Sequence, residues 1–148
     1  MTSKTSSSQA GGIELTAALH GHQRVDFDKR LVKNALRASA RAVQKAARRL
    51  VARRAVSQPG GFPGRDTGAL SRAIGLRWGS GGFWVRIEPT TAGIKKTGKV
   101  YYPAILHHGA PKHGLQPRGN YMTTALDGER SRAKAAIVAA LQDSLKPR

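Results

Sequence analysis

The sequence contains no cysteine and few acidic residues, and each shortage excludes classes of protein. Without cysteine the chain forms no disulfide, carries no thiol nucleophile and binds no cysteine-ligated zinc or iron–sulfur cluster. Only 8 Asp and Glu residues occur among 148, a small supply for acid–base or metal chemistry. The chain also lacks an apolar run of roughly 18 residues and a basic-then-apolar start, so we expect no membrane partner and no secretory signal.

Positive charge is what the sequence has in excess. It contains 26 Lys and Arg residues, which give a formal net charge of +18 at pH 7. A surplus of this size on a small chain implies a polyanionic partner, an acidic neighbouring subunit, or both. Of these cations, 11 lie between Lys29 and Arg65, a stretch that contains no acidic residue. The charge is therefore concentrated in one segment of the chain.

The length and the apolar content fit one folded domain with loose ends. Residues 1–12 are rich in Ser, Thr and Gly and lack apolar periodicity, which predicts a disordered tail. We expect a single domain over 13–145 and a tail end at 146–148. The predicted class is α+β, in which a long N-terminal basic amphipathic helix and a C-terminal helix pack on a small, mainly antiparallel twisted sheet.

The segment from Asp28 to about Val56 predicts the long helix, because it contains neither Pro nor Gly and is rich in Ala, Leu, Arg and Lys. At 100° per residue its apolar side chains form one stripe that includes Val43 and Leu50. The opposite side and its flanks carry the candidate contact residues Arg30, Lys33, Arg37, Arg41, Lys45, Arg48 and Arg49. Exposed helix faces normally interleave both signs of charge, so this acid-free face predicts contact with phosphates or with an acidic subunit.

Short strands are predicted on both sides of the long helix. Residues 13–17 form the first candidate strand, and 76–79 and 83–89 form a hairpin around a Gly-rich turn. Apolar and polar residues alternate along the last strand, so its apolar set should face the helix. That set comprises Phe83, Val85 and Ile87.

Three further helical segments are predicted after the long helix. Asp66 or Thr67 should cap a short helix that runs to Ile74. Residues 101–109 form a short helix or turn, and 121–145 form a second amphipathic helix. The apolar face predicted for that helix comprises Met122, Leu126, Ala133, Ile137, Leu141 and Leu145.

Catalytic and metal sites find little support in the residues. Asp66 and Glu88 could build a metal-dependent nuclease, but no Lys stands two residues after Glu88 to complete the expected pattern. The histidines at 107, 108 and 113 lack the cysteine or nearby acid that would complete a tetrahedral metal site. The Gly-rich segments match neither the phosphate-binding loop nor the serine nucleophile elbow. We therefore expect no enzyme activity, no catalytic residue, no metal site and no cofactor.

Three local motifs follow one another along the chain: Thr67-Gly68-Ala69-Leu70, then Tyr102 to Gly109, then Pro117-Arg118-Gly119-Asn120-Tyr121. Their order, together with the order of the predicted elements, resembles a phage family over roughly 13–145. The family comprises tail-completion or head-to-tail joining proteins similar to the lambda-type minor tail protein Z. The positions that the resemblance marks as candidate assembly residues are Arg65, Thr67, Gly68, Leu70, Tyr102, Gly109, Pro117, Arg118 and Tyr121.

The resemblance implies a structural virion protein that forms a homo-oligomeric ring, expected to be a hexamer, in the neck of a tailed phage. Such a ring would join the connector or adaptor proteins of the head to the tail terminator or tube, with genomic double-stranded DNA in its lumen. It would assemble in the host cytoplasm, and the N-terminal tail and the loops 57–66, 90–99 and 109–120 would order on assembly. The residues also leave open a free basic nucleic-acid-binding protein that contacts phosphates through helix 29–54.

Overall fold

The computed structural model of the protein describes residues 13–16, 27–53, 57–90 and 102–145. The elements in chain order are β1 (Ile13–Thr16), α1 (Lys29–Leu50), α2 (Ala69–Ala73), β2 (Ile74–Trp78), β3 (Trp84–Pro89), α3 (Tyr102–His108) and α4 (Tyr121–Ser144). This arrangement confirms the predicted α+β class, with two long helices and a small antiparallel sheet. The tails predicted at 1–12 and 146–148, and most of the loop 90–99, lie outside the described residues.

The sheet has three strands in the order β1-β3-β2, and both pairings are antiparallel. β3 is the central strand: Ile87 lies opposite Ile13 of β1 and opposite Leu76 of β2. Val85 and Ile87 are fully buried, whereas Arg86 between them is half-buried, which confirms the predicted alternation over 85–87. The strand begins at Trp84 instead of Phe83, and both of these residues are half-buried. The sheet therefore presents one apolar face to the helices.

Two predicted boundaries before the hairpin are wrong. α2 ends at Ala73, and β2 begins at Ile74 instead of Leu76, because Ile74 has extended backbone and pairs with Pro89. The residue that precedes the first turn of α2 is Gly68, with φ of 75°, instead of Asp66 or Thr67. Thr67 still contributes, since its Oγ1 accepts a hydrogen bond of 3.3 Å from the amide of Ala69.

The predicted end of α1 near Val56 is also wrong. The helix ends at Leu50, and the following residue, Val51, is buried with 2% exposure. A longer helix would rotate Arg53 back into the apolar stripe, which would place a cation in the core. The chain instead turns away, and the carbonyl of Arg53 accepts a 2.8 Å hydrogen bond from the amide of Arg65.

α1 and α4 pack side by side in antiparallel orientation. The amide of Asp28, before the first residue of α1, donates a 3.1 Å hydrogen bond to the carbonyl of Ser144 at the end of α4. Both helices begin with a side-chain cap: Asp28 accepts from the amide of Arg30, and Asn120 accepts from the amides of Met122 and Thr123. Such caps satisfy amides that have no partner within the helix.

The core lies between this helix pair and the apolar face of the sheet. It is built from one stripe of α1, the fully buried Ile74, Val85 and Ile87 of the sheet, and the first turns of α4. The buried residues of α1 are Val32, Leu36, Ser39, Ala40, Val43 and Ala47. The predicted stripe is thus confirmed except at Leu50, which is half-buried.

The apolar face predicted for α4 is only partly correct. Met122 and Ala133 are buried, and Leu126, Ile137 and Leu141 are half-buried. Leu145 is 54% exposed, so its assignment to the buried face was wrong. The helix stops at Ser144, so Leu145 lies beyond the last turn that packs on α1.

Candidate polyanion-binding surface

The outward side of α1 carries a line of cations, here called the cationic row. Its members, all exposed, are Arg30, Arg37, Arg41, Lys45 and Arg49. Only Asn34 and Ala38 interrupt it on the same side, and both are also exposed. At a rise of 1.5 Å per residue the row extends over about 28 Å of a single rigid helix.

Lys33 and Arg48, also proposed as contact residues, are held by the fold instead of projecting from the row. The Nζ of Lys33 lies 4.9 Å from the centre of the Phe83 ring, a cation–π distance. Arg48 is half-buried, and its Nη2 donates a 2.8 Å hydrogen bond to the carbonyl of Ile74. The Nε2 of Gln44, one turn earlier, donates to the same carbonyl at 2.8 Å. These contacts fix α1 to the start of β2.

Aromatic side chains from the hairpin flank α1, which helix periodicity alone did not predict. The guanidinium of Arg37 lies 6.0 Å from the centre of the Trp78 ring, and Trp78 itself is 37% exposed. Phe83 occupies the corresponding position beside Lys33. Only the packing of the hairpin on α1 brings these rings to the helix. In the sequence, the only indication of this arrangement was that aromatic residues, Trp78 and Phe83, stand at the two ends of the hairpin turn.

The two long helices differ in how they neutralise their cations. In α4, Arg130 pairs with Asp127 at 2.9 Å and Arg132 pairs with Glu129 at 3.2 Å. α1 contains no acidic residue, and within the described parts of the chain no residue of the cationic row forms an ion pair. A cationic helix face that merely keeps a protein in solution does not need to be free of acids. The row is thus a strongly positive surface with no counter-charge of its own.

A second group of cations lies at the C-terminal end of α1. A Cβ built at Gly68 would lie 3.2 Å from the Nε of Arg65 and 3.1 Å from the Nη1 of Arg72, so the two guanidiniums converge over this glycine. Arg72 is held there because its Nη2 donates a 3.0 Å hydrogen bond to the carbonyl of Thr67. We call Arg65 and Arg72 the arginine pair. Both are exposed, and within the described residues neither forms an ion pair.

The first motif of the resemblance has a structural part and an exposed part. Leu70 is buried with 7% exposure and belongs to the core. Gly68 has positive φ, a conformation that favours glycine, and its missing side chain leaves room for the arginine pair. Arg65 and Thr67 are exposed and remain available to a partner.

The other two motifs mainly shape the chain around α3 and α4. Gly109, with φ of 75°, ends α3, and a Cβ there would lie 2.7 Å from the carbonyl oxygen of Leu115. Tyr121 is buried at the start of α4, and the amide of Arg118 donates to the carbonyl of Leu106 at 2.8 Å. Pro117 is exposed. Tyr102 is the first residue of α3, and its side chain lies outside the described part of the structure.

The outward side of α4 exposes several apolar residues over its second half, with the exposed Lys134 and Gln142 among them. The residues that form this α4 outward face, all exposed, are Ala135, Val138, Ala139, Gln142 and Leu145. Val138 is 42% exposed and Leu145 is 54% exposed. A helix that packs on a core with one side usually shows charged and polar residues on the other. This face is therefore unusual for a helix that meets only water.

The histidines do not form a metal site in the described residues, where no three His, Asp or Glu side chains gather as possible ligands. His107 and His108 contact each other edge to face with ring centres 4.6 Å apart, and both are exposed. Asp66 is exposed on the loop before α2, and Glu88 is half-buried on β3. No described helix has the length and apolar content needed to span a bilayer.

Comparisons of the chain with protein-family models, with curated proteins and with solved structures found no match. The cationic row, the arginine pair and the α4 outward face are thus the features of the molecule that bear on its function, together with the motif resemblance.

Proposed function

We propose that the protein is a structural virion component of a tailed phage, a ring-forming neck or tail-completion protein that joins the DNA-filled head to the tail without catalysis. The motif order that resembles the tail-completion family supports this role. The connector or adaptor proteins on the head side and the tail terminator or tube proteins are its proposed neighbours, and the neck of the virion is its proposed location. A hexamer is the proposed ring.

The observation that carries the proposal is the apolar α4 outward face. Val138 and two alanines are exposed on this face, with Leu145 at its C-terminal end, and their apolar area would be stabilised by burial against another subunit while Lys134 stays at the edge of the contact. α4 is also the long helix whose charges balance, with three acids and three bases. Copies of a +18 chain repel one another least where neutral surfaces meet.

A second exposed apolar surface lies where two loops meet. The amide of Gly60 donates to the carbonyl of Pro117 at 3.1 Å, and the amide of Gly119 donates to the carbonyl of Gly61 at 2.9 Å. These bonds hold the loops together, and each loop exposes one large apolar side chain. The two side chains are Phe62 at 37% and Leu115 at 47% exposure. A subunit of a ring needs two different contact surfaces, because each subunit meets its neighbours in a head-to-tail manner.

The test is the assembly state of the purified full chain and its presence in particles. Mass photometry and negative-stain electron microscopy at micromolar concentration should show closed rings, and mass spectrometry of purified virions should detect the chain. A protein that stays monomeric at all concentrations and is missing from virions would contradict the proposal.

The alternative function is a free nucleic-acid-binding protein that contacts phosphates through helix 29–54, of which α1 is the observed part. The acid-free cationic row favours it. This alternative expects monomers or dimers that bind DNA with a steep salt dependence and that do not enter particles. DNA binding by a chain that also forms rings would agree with the neck function, so DNA binding alone does not separate the two functions. The assembly measurement does.

A further inference from the structure

We infer that the cationic row and the arginine pair form one surface that binds the sugar-phosphate backbone of duplex DNA without reading its sequence. The inference deepens the proposed function, since it names the partner of a surface that a neck protein could turn either to DNA or to an acidic neighbour. It also applies to a protein that acts outside a particle, because the argument depends on the fold of a single chain and not on its assembly.

The row is arranged as a rigid line of donors. Arg37, Arg41, Lys45 and Arg49 follow one another at intervals of four residues, which places successive cations about 6 Å apart along the helix axis. Because α1 is packed along its whole length, the backbone loses no freedom when a ligand binds. Arg37 is further restrained by the Trp78 ring, so its guanidinium is partly positioned before binding.

The chemistry of the row suits phosphate better than an acidic protein surface. Lys and Arg side chains only donate hydrogen bonds, and the oxygens of phosphates and of carboxylates both accept them, so the choice of partner depends on what lies between the cations. Protein interfaces usually centre on buried aromatic or large aliphatic residues, but the residues between the cations on this side are Asn34 and Ala38. The row thus has its large exposed apolar side chains, Leu31 and Trp78, at its flanks instead of between its cations, an arrangement that fits backbone contact to nucleic acid.

Packing on α4 broadens the surface that α1 presents to DNA. A single helix has a diameter of about 10–12 Å and already fills the groove width of about 12 Å. α4 lies beside α1 along its length, and neighbouring helices are separated by about 8–10 Å, so the layer is too wide to enter. The row therefore meets DNA as the outer side of a two-helix layer, and we expect it to lie across the phosphates. This is the structural reason to expect binding without sequence preference.

The arginine pair extends the surface beyond the end of α1. The amide of Arg65 donates a hydrogen bond to the carbonyl of Arg53, which is three residues beyond the end of α1. This bond holds Arg65 near the C-terminal end of the helix. Two guanidiniums that converge without a carboxylate repel each other, and an oxyanion between them would relieve this repulsion. Asp66 stands between them in the sequence, but within the described residues it forms no ion pair with either. The pair therefore adds two further cations to the five of the row for contact with phosphates.

The experiment measures binding of the full chain to a fluorescent duplex of arbitrary sequence, about 20 base pairs long, between about 50 and 300 mM salt. Neutralisation of phosphates by the five cations of the row and by the arginine pair gives a slope of log K against log salt of about −6. The triple variant Arg41→Gln, Lys45→Gln, Arg49→Gln should make the slope shallower by about 2.7. The double variant Arg65→Gln, Arg72→Gln should make it shallower by about 1.8.

The matched control removes the same charge from the other helix. Arg130→Gln, Arg132→Gln, Lys134→Gln also takes three positive charges from exposed positions, but these lie on α4. Its slope and affinity should equal those of the unmodified chain. Circular dichroism of every variant should show the same helical content, because none of the changed residues is buried.

Three results would overturn the inference. Equal losses in the row variant and in the α4 control would show that net charge binds DNA without a defined surface. Binding to polyglutamate but not to the duplex would assign the row to an acidic protein. A difference of more than about 10-fold between duplexes of unrelated sequence at one salt concentration would indicate base readout. Ring formation is measured on the same samples. If the chain forms no rings but still binds DNA through the cationic row, the result contradicts the proposed neck function and leaves this inference intact.

Discussion

At the scale of single residues, identical side chains on α1 have different roles that helix periodicity could not separate. Arg41 and Arg48 lie on the same predicted face, yet Arg41 is exposed whereas Arg48 donates to the carbonyl of Ile74. The difference arises from β2, whose first residue lies 26 positions further along the chain. The cationic row is therefore shorter than the sequence suggested, and its members are exposed side chains, of which Arg37 lies beside the Trp78 ring of β2.

The substitution Val43→Asp should unfold the protein. Val43 is fully buried in the core, and burial of an unpaired carboxylate costs several kcal/mol, comparable to the total stability of about 5–15 kcal/mol. Urea denaturation followed by circular dichroism measures the loss. The matched control is Leu31→Asp in the first turn of the same helix, where the side chain is 40% exposed and a negative charge complements the helix dipole. It should change stability by less than about 1 kcal/mol, and unfolding of both variants alike would show that the core is misassigned.

At the scale of elements, α1 and α4 were predictable to different degrees. α1 was found because it lacks Pro and Gly and because its cations and apolar residues separate cleanly around the helix. Its end could not be placed from the sequence, because neither Pro nor Gly occurs between Leu50 and Pro59 to mark it. The second half of α4 is apolar on both sides, so periodicity could not tell which side is buried. Leu145 was misassigned for this reason.

Gly128 lies within α4, and the substitution Gly128→Ala should stabilise the isolated chain. A Cβ at this position would meet nothing within 4 Å, and Ala is favoured over Gly inside a helix by about 1 kcal/mol. Thermal denaturation should show a midpoint higher by about 2–8 °C.

Gly60→Ala is the matched control for Gly128→Ala. Here, too, a Cβ would meet nothing within 4 Å, but the residue has φ of 75°, which costs a residue with a Cβ about 1–2 kcal/mol. Its melting temperature should fall while that of Gly128→Ala rises. A decrease for both would indicate that the backbone around Gly128 is not a regular helix.

At the scale of the whole molecule, the protein has a cationic side and a neutral, apolar side. The cationic row belongs to α1, and the α4 outward face belongs to a helix whose acids and bases balance. Charge composition predicted the first surface from the sequence alone. The second could not be predicted, because only the packing of α4 on α1 decides which of its apolar residues remain exposed.

The substitution Val138→Glu should leave the fold intact and prevent ring formation. Val138 is 42% exposed, so the monomer tolerates a charge there, but a carboxylate buried between subunits would lack a partner. Mass photometry at micromolar concentration should show monomers. Thr123→Glu adds the same charge at an exposed position in the first turn of the same helix and should keep the rings. Rings from both variants would place the subunit contact away from the α4 outward face.

The absence of acidic residues from α1 also affects the association of unfinished chains during translation. α1 leaves the ribosome before β2, β3 and α4, so its apolar stripe has no intramolecular cover until those segments follow. During that interval, helices from neighbouring nascent chains could pair through the stripe. Each of them carries eight positive charges and no negative one, so two such helices repel each other strongly. The positive charge of α1 thus opposes association of unfinished chains through this stripe.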